Sequence, residues 1–293
     1  MATLRDIRRR IRSVQSTQKI TRAMKLVAAA KLRRAQERIL SARPYATKMT
    51  ELLGNLAADA GPEAHPLLEQ RAGPRRHIVI ITSDKGLAGA FNSNILRRSL
   101  EFIRESIATE LTLVVVGRKA RDFYRRRQWR IKKEMIGFWD RLAYSHACEL
   151  ADAFMEQYQA GEVDEVHLIY NEFRSVAVQR AVRQQILPIA RAAALPAEGQ
   201  PAPSADYLYE PSLAAILDGL LPRHIRTQVY RALMESLAGE YGARMTAMEA
   251  ATQNAKEMIE VLTIQYNKAR QEKITKELLD IVGGAEALKQ ASE

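Results

Sequence analysis

The run "YRALMESLAGEYGARMTAMEAATQNAKEMIEVLTIQYNKA", residues 230–269, decides the fold. Tyr230, Met234, Leu237, Tyr241, Met245, Met248, Thr252, Ala255, Ile259, Leu262, Tyr266 and Ala269 recur in it at alternating steps of four and three. That is the rhythm of a coiled-coil seam, and the repeated step of four at Tyr241 and Met245 is a stutter that changes the winding locally. With Pro222 suited to a first turn and Gly283 and Gly284 suited to a stop, the pattern predicts one helix from 222 to 282, roughly 90 Å long. No small domain buries such a rod alone, so a second long helix is required.

The other end of the chain supplies it. Leu4, Ile7, Ile11 and Val14, then Ala28, Leu32, Ala35 and Ile39, follow the same stepping, while Gln18 and Thr21 interrupt it with polar groups, as seams do where register matters more than stability. Pro44 is expected to bend this helix or end a segment of it, with "ATKMTELLGNLAADA" as a second piece. The two terminal helices are expected to pair antiparallel. Gly239, Gly242 and the alanines around 28–30 allow close approach, at about 0.8 to 1 kcal/mol of helix propensity per glycine.

Between them the pattern changes. Gly61, Pro62, Pro66, Gly73 and Pro74 mark a connector. "HIVIITS" at 77–83 and "LTLVVVG" at 111–117 are short apolar, β-branched runs of the kind buried in a parallel sheet, separated by the helical "SNILRRSLEFIRESI". A helix in "LAYSHACELADAFMEQYQAG", a strand in "DEVHLIYNEF" and another in "VAVQRAVRQQILP" complete a small α/β domain over 75–190. "ARAAALPAEGQPAPSAD", rich in Pro and Ala, reads as a linker. The chain therefore divides into an N-terminal coiled-coil helix at 1–60, the α/β domain, a linker and further segment at 191–210, and a C-terminal coiled-coil helix at 211–286.

Composition agrees with this fold class, an α/β domain with a long-helix coiled coil. The chain has 293 residues, 47% hydrophobic and only 6% aromatic, with the abundance of Ala, Leu, Arg, Glu and Lys that accompanies long helices. A net charge of +11 and a pI of about 9.8 call for an acidic partner. Cys148 is the single cysteine, which excludes an intramolecular disulfide and a thiolate cluster. No apolar run approaches the roughly 18 to 20 residues of a membrane span. The start "MATLRDIRRRIRSVQ" lacks the apolar region of a secretory signal, although its amphipathic, Arg-bearing character also suits a transit peptide.

Catalytic signals are sparse. "TSDKGLAGAFNSN" lies between a strand and a helix, where a nucleotide fold carries its phosphate loop. Gly86 and Gly89 do not make G-x-G-x-x-G, however, and no G-K-[ST] follows, so a tight strand-to-helix turn is the better reading. His65, His77, His146, His167 and His224 are scattered, without metal-ligand spacing. No G-x-S-x-G elbow surrounds a serine, and no cofactor or metal is expected. Met24, Met234, Met245, Met248 and Met258 lie on or beside the seams as gap fillers or an adaptable sliding surface. The first helix carries more information. Arg5, Arg8, Arg9, Arg10, Arg12, Lys19, Arg22, Lys25, Lys31, Arg33, Arg34 and Arg38 are opposed only by Asp6 and Glu37, whereas a merely solvated face mixes signs.

Four stretches are specific enough to carry a resemblance: "IRRRIRSVQSTQKITRAMKLVAAAKLRRAQ", "TSDKGLAGAFNSN", "DYLYEP" at 206–211, and "ARMTAMEAATQNAKEMIEVLTIQYNKARQEKITKELLDIVGGAEAL". Together, and in order, they resemble the gamma subunits of F-type ATP synthases of the bacterial type, over essentially the whole chain. The resemblance implies a central rotor shaft: an antiparallel coiled coil of the terminal helices inside a hexamer of alpha and beta subunits, with a Rossmann-like domain that binds no cofactor. The motifs begin at Met1, so the resemblance implies no presequence and places the chain at the cytoplasmic face of a bacterial plasma membrane. The cysteine-bearing insert of chloroplast relatives is missing, so thiol control is not expected.

The resemblance also implies contacts. Met24 and Lys25 match where the shaft meets the beta levers, and Arg270, Gln271, Thr275 and Glu277 match where it meets the beta catch loops. Arg244, in "ARMTAM", is a lesser candidate for beta. Tyr207, Tyr209 and Glu210 match the foot that faces epsilon and the c-ring. Ala88 and Ala90 depart from the family's loop, where relatives carry cysteine or glycine. Chemistry is implied to stay on beta, so this chain is expected to be a non-catalytic subunit and not to bind nucleic acid. The alternative from the residues alone is a basic coiled-coil arm on an α/β body, binding nucleic acid through phosphate contacts with a steep salt dependence. The arm lacks interleaved aromatics for base stacking.

Overall fold

The structure, a computed structural model, describes residues 3–59, 64–106, 110–176, 178–189 and 212–290. Its elements are α1 (Leu4–Asp59), a 3-10 turn (Pro66–Leu68), β1 (Arg75–Ile81), α2 (Phe91–Glu105), β2 (Glu110–Val116), α3 (Arg118–Arg125) and β3 (Ile131–Met135). A second 3-10 turn (Trp139–Arg141), α4 (Tyr144–Gln159), β4 (Glu165–Phe173), β5 (Gln179–Leu187) and α5 (Leu213–Gln290) follow. The chain separates into two units, one within residues 1–27 and 247–293, where α1 and α5 form a helical pair, and a body within residues 28–246.

The body is built on a five-stranded sheet in the order β3-β2-β1-β4-β5. β1 pairs in parallel with β2 and β4, β2 pairs in parallel with β3, and β5 closes the other edge antiparallel to β4. The apolar run of β1 is unbroken because both faces are covered. Ile78 and Ile80 turn to one face, with Phe91 and Ile95 of α2, Tyr124 of α3, and Leu113 and Val115 of β2. Val79 and Ile81 turn to the other, with Leu150 and Phe154 of α4 and with Leu32, Ala35, Leu233 and Leu237 from the body segments of α1 and α5.

Two elements carried no clear signal. β3, "IKKEM", is a charged edge strand with only Met135 buried, the composition that protects sheet edges from pairing with other chains. α3 buries only Ala120 and Tyr124, one turn apart, too short a pattern to show periodicity.

The helix ends differ from the reading of the sequence. Pro44 neither ends α1 nor divides it, for it lies inside a continuous helix. α5 begins before Pro222, at Leu213, because Leu217 and Leu221 are buried in the body core. Burial along those extra turns, from Leu213 to Leu221, outweighs a proline cost of about 3 kcal/mol. Gly283 and Gly284 do not stop the helix, which runs on to Gln290. Each costs about 1 kcal/mol there, and the surrounding Leu, Lys, Glu and Ala are strong helix formers. The linker read at 190–206 lies outside the described residues.

Candidate functional site

In the helical pair, contacts run with rising numbers on one helix and falling numbers on the other: Arg8 meets Tyr266, Thr21 meets Thr252 and Lys25 meets Glu249. The pair is therefore antiparallel. Ile7, Thr21, Met248, Ala255 and Leu262 are buried along it. Thr21, read as an interruption of the seam, is its polar clasp. The hydroxyl oxygens of Thr21 and Thr252 lie 2.7 Å apart; one donates to the other across the pair, and the acceptor hydroxyl donates its own proton to a carbonyl of its own helix, Gln18 for Thr21 or Met248 for Thr252. A hydroxyl so satisfied costs little to bury and penalises any shift of register. Lys25 Nζ lies 2.5 Å from Glu249 Oε1. The Arg8 guanidinium donates to the Tyr266 hydroxyl at 2.6 Å and sits 5.4 Å from its ring centre.

The outside of the pair carries two features. Arg5, Arg9, Arg10, Arg12, Lys19 and Arg22 are exposed, as are Ile20, Leu26 and Val27 among them. On α5 every residue from Arg270 to Gly283 is exposed. That stretch includes Ile274, Leu278, Leu279, Ile281 and Val282, the last two at 68% and 63%. Uncovered apolar side chains in such density mark an interaction surface. Their spacing of three and four residues was legible beforehand but carried no weight, because the seam pattern ends at Ala269.

In the body, the carboxyl ends of β1, β2 and β3 are tied by one side chain. Asp84, almost buried, accepts the Arg118 amide at 2.9 Å and the Gly137 amide at 2.7 Å. Gly117 sits at a φ of +92°, where a Cβ would lie 2.1 Å from the Thr82 carbonyl oxygen, so only glycine permits this approach. The "TSDKGLAGAFNSN" loop is a strand-to-helix turn pinned at Ser83. The Ser83 amide donates to Asn92 Oδ1 at 3.0 Å and the Ser83 hydroxyl to the Lys85 carbonyl at 2.6 Å. Lys31 of α1 and Lys85 of this loop both bind Asp140, at 2.7 and 2.9 Å, and these two hydrogen bonds lower its carboxyl to about 2.

The residues singled out from sequence fall as follows. Met24 is half-buried and Lys25 is held by Glu249. Arg270, Gln271 and Thr275 are exposed, and Glu277 is exposed with Lys273 3.4 Å away. Arg244 faces inward: its guanidinium is 11% exposed, ion-paired to Glu240 and donating to the Gly86 carbonyl at 3.1 Å. Burial raises the Glu240 carboxyl, against the opposing effect of Arg244. Tyr207, Tyr209 and Glu210 lie outside the described residues. Among the described residues no helix is long and apolar enough to cross a membrane.

A sheet-based body and a helical pair with an exposed helical end have the features of a mechanical subunit. The ATP synthase family model matches residues 3–288. The chain is 52% identical to the ATP synthase gamma chain of Anaeromyxobacter sp. (strain Fw109-5), covering 99% of this chain and all of that one. It is 49% identical to the ATP synthase gamma chain of Pelotomaculum thermopropionicum, over 98% of this chain and all of that one. Among solved structures, a chain of the Tetrahymena thermophila mitochondrial ATP synthase central stalk and c-ring shares 28% identity over 79% of this chain and 99% of that one, with a TM-score of 0.58. A chain of the Euglena gracilis mitochondrial ATP synthase, at 22% identity, covers 99% of this chain and 96% of that one with a TM-score of 0.70, a likeness of fold. The chain belongs to the ATP synthase gamma chain family.

Proposed function

We propose that this chain is the central shaft of an F-type ATP synthase, turning inside a hexamer of alpha and beta subunits and coupling ion flow through a c-ring to ATP synthesis on beta. The observation that carries this reading is the end of α5, where Ile274, Leu278, Leu279, Ile281 and Val282 are exposed on a continuous helix. A solitary helix displaying these side chains needs an enclosing apolar collar to leave water.

In this reading Arg270, Gln271, Thr275 and Glu277 meet the beta catch loops, and Met24 and Lys25 meet the beta levers. Arg244 acts from within, by holding Gly86 and Glu240. Tyr207, Tyr209 and Glu210 form the foot towards epsilon and the c-ring. The chain is then non-catalytic and peripheral, at the cytoplasmic face of a bacterial plasma membrane. Exposed charge contacts suit exchange among three beta subunits, since each is worth only about 0 to 1 kcal/mol in water.

Co-expression with alpha and beta subunits tests this directly. The expected outcome is an assembly of one copy of this chain per three alpha-beta pairs, whose ATP hydrolysis depends on it. Removing the residues after Arg270 is expected to weaken ion-driven synthesis in the full complex. Unchanged synthesis would remove the role given to that end.

A further inference from the structure

A second concentration of positive charge lies in the body. Residues 118–133, from the start of α3 into β3, hold nine lysines and arginines against one acidic residue, Asp122, which is most of the excess of the chain's 45 basic over its 34 acidic residues. Ion pairs within the body neutralise part of it. Arg121 meets Asp122, Arg125 meets Glu134, Lys132 meets Glu162 and Lys133 meets Glu149. Arg126 and Arg130, both exposed, have no anionic partner among the described residues. The Arg127 guanidinium lies 3.6 Å from the Phe123 ring centre and donates to the Phe123 carbonyl at 3.3 Å, so its charge also meets no anion.

Trp129 stands among these three arginines, and its place is fixed. α3 closes through Gln128, at a φ of +58°, in the left-handed conformation that ends many helices. The Gln128 amide donates to the Arg125 carbonyl at 3.0 Å and the Trp129 amide to the Tyr124 carbonyl at 3.1 Å, while the indole meets the Tyr124 ring edge-on at 6.2 Å. Such a closure asks only for an apolar side chain at 129. An indole left 36% exposed, the one large apolar side chain uncovered in 118–133, exceeds that need.

The turn lies at the amino ends of the strands, because α3 runs back from the end of β2 and β3 then starts beside Leu113 in parallel with β2. β5 ends at Leu187, opposite Val166 at the start of β4, so the chain leaves the sheet for the segment assigned to the foot at this same end. A base-stacking surface needs several open aromatic faces, and here Phe123 is already covered by Arg127. A protein interface has an apolar centre, which one indole does not make. Cations spread around a single exposed tryptophan suit a lipid surface, where the indole settles at headgroup level and each arginine gains from anionic phosphates.

We propose that the turn after α3 contacts an anionic phospholipid surface, with Trp129 at headgroup depth and Arg126, Arg127 and Arg130 on the phosphates. The choice of a membrane rests on the shaft reading, since the c-ring of that reading lies in a bilayer and the body works beside its headgroups. A fluid layer of exchangeable headgroups permits rotation, as a fixed protein contact does not.

The test uses the full chain with Trp139→Phe, which leaves Trp129 as the only tryptophan. It is mixed with vesicles of phosphatidylglycerol and phosphatidylcholine, and binding is followed by sedimentation and by Trp129 emission, with brominated acyl chains as quencher. Binding with a blue shift and quenching is expected on the anionic vesicles and not on phosphatidylcholine alone. Arg126→Gln combined with Arg130→Gln is expected to weaken binding about tenfold or more, and Arg9→Gln combined with Arg10→Gln, on the basic first helix, by less than about twofold. Far-UV circular dichroism checks that both double variants remain folded. No binding to anionic vesicles, unquenched Trp129 emission in the bound state, or equal weakening by the two double variants overturns the proposal. Single-stranded RNA bound through the same arginines more tightly than the vesicles also overturns it, because the surface then serves nucleic acid. Assembly with alpha and beta subunits is expected to be unaltered in the Arg126 and Arg130 double variant, so failure of lipid binding is distinguishable from failure of the shaft reading.

Discussion

In the body, Ile78, Val79, Ile80 and Ile81 are consecutive and all four are fully buried; in the helical pair, burial recurs only every seven or so residues, at Met248, Ala255 and Leu262. A sheet covered on both faces removes every side chain of a strand from water, whereas a two-helix seam removes one stripe and leaves the rest to partners. The body therefore concentrates its stability in a shared core, and the pair distributes a thin one along its length. Both tryptophans, Trp129 and Trp139, and all five histidines lie in the body's sequence range. Tryptophan emission thus reports on the body, and each region can be perturbed and read separately.

The largest effect is expected from Phe154→Ala, at 1% exposure in the body core: about 3 to 5 kcal/mol by chemical denaturation followed through tryptophan emission. Leu262→Ala in the seam, followed by far-UV circular dichroism, is expected to cost about 2 kcal/mol or less, because the thin seam leaves little cavity to sustain. Equal losses would erase the distinction between the two regions.

Mild acid is expected to separate them next. Burial lowers His77 to about 4, so the folded body holds it neutral while the unfolded chain protonates it near 6.5. The unfolded state binds more protons in that interval, and stability falls as pH drops from about 6.5 to about 4, by up to about 3 kcal/mol. His65 and His167 are shifted the same way by burial. His77→Phe is expected to flatten the pH dependence of the body's unfolding midpoint over this range. A slope identical to that of the unaltered chain would assign the acid response elsewhere.

A smaller effect belongs to the polar clasp. Thr21→Val and Thr252→Val are each expected to cost about 1 kcal/mol, and the double variant less than their sum, because it leaves neither hydroxyl without its cross-helix partner. Strict additivity in that cycle would mean that the 2.7 Å contact carries no coupling. The smallest effect is expected from Lys25→Ala, a change in stability within about 1 kcal/mol that fades with added salt, since both partners of the Glu249 pair reach solvent.

How much could be read beforehand follows from how local each signal is. Ile7, Ala28, Leu32 and Ala35 on α1, and Met248, Ala255 and Leu262 on α5, fall on the seam that periodicity marks. β1 and β2 announce themselves by short apolar, β-branched runs. β3 does not, because an edge strand with "KKE" at its centre looks like a loop. Asp84 as the tie between two turns, and Asp140 as the anion shared by Lys31 and Lys85, leave no local trace: Lys31 and Asp140 are 109 residues apart. The inward turn of Arg244 depends on Gly86, 158 residues away.

The sequence by itself determined the long terminal helices, their apolar stripe, the buried strands and the family, because each is written in spacing or in motifs among neighbouring residues. Only the tertiary structure decided that α5 passes through Pro222, that Thr21 is a clasp instead of a defect, and that Asp140 is shared by Lys31 and Lys85. Those outcomes depend on what a side chain meets from distant parts of the chain. Burial and pairing there outweigh local propensities of about 1 to 3 kcal/mol.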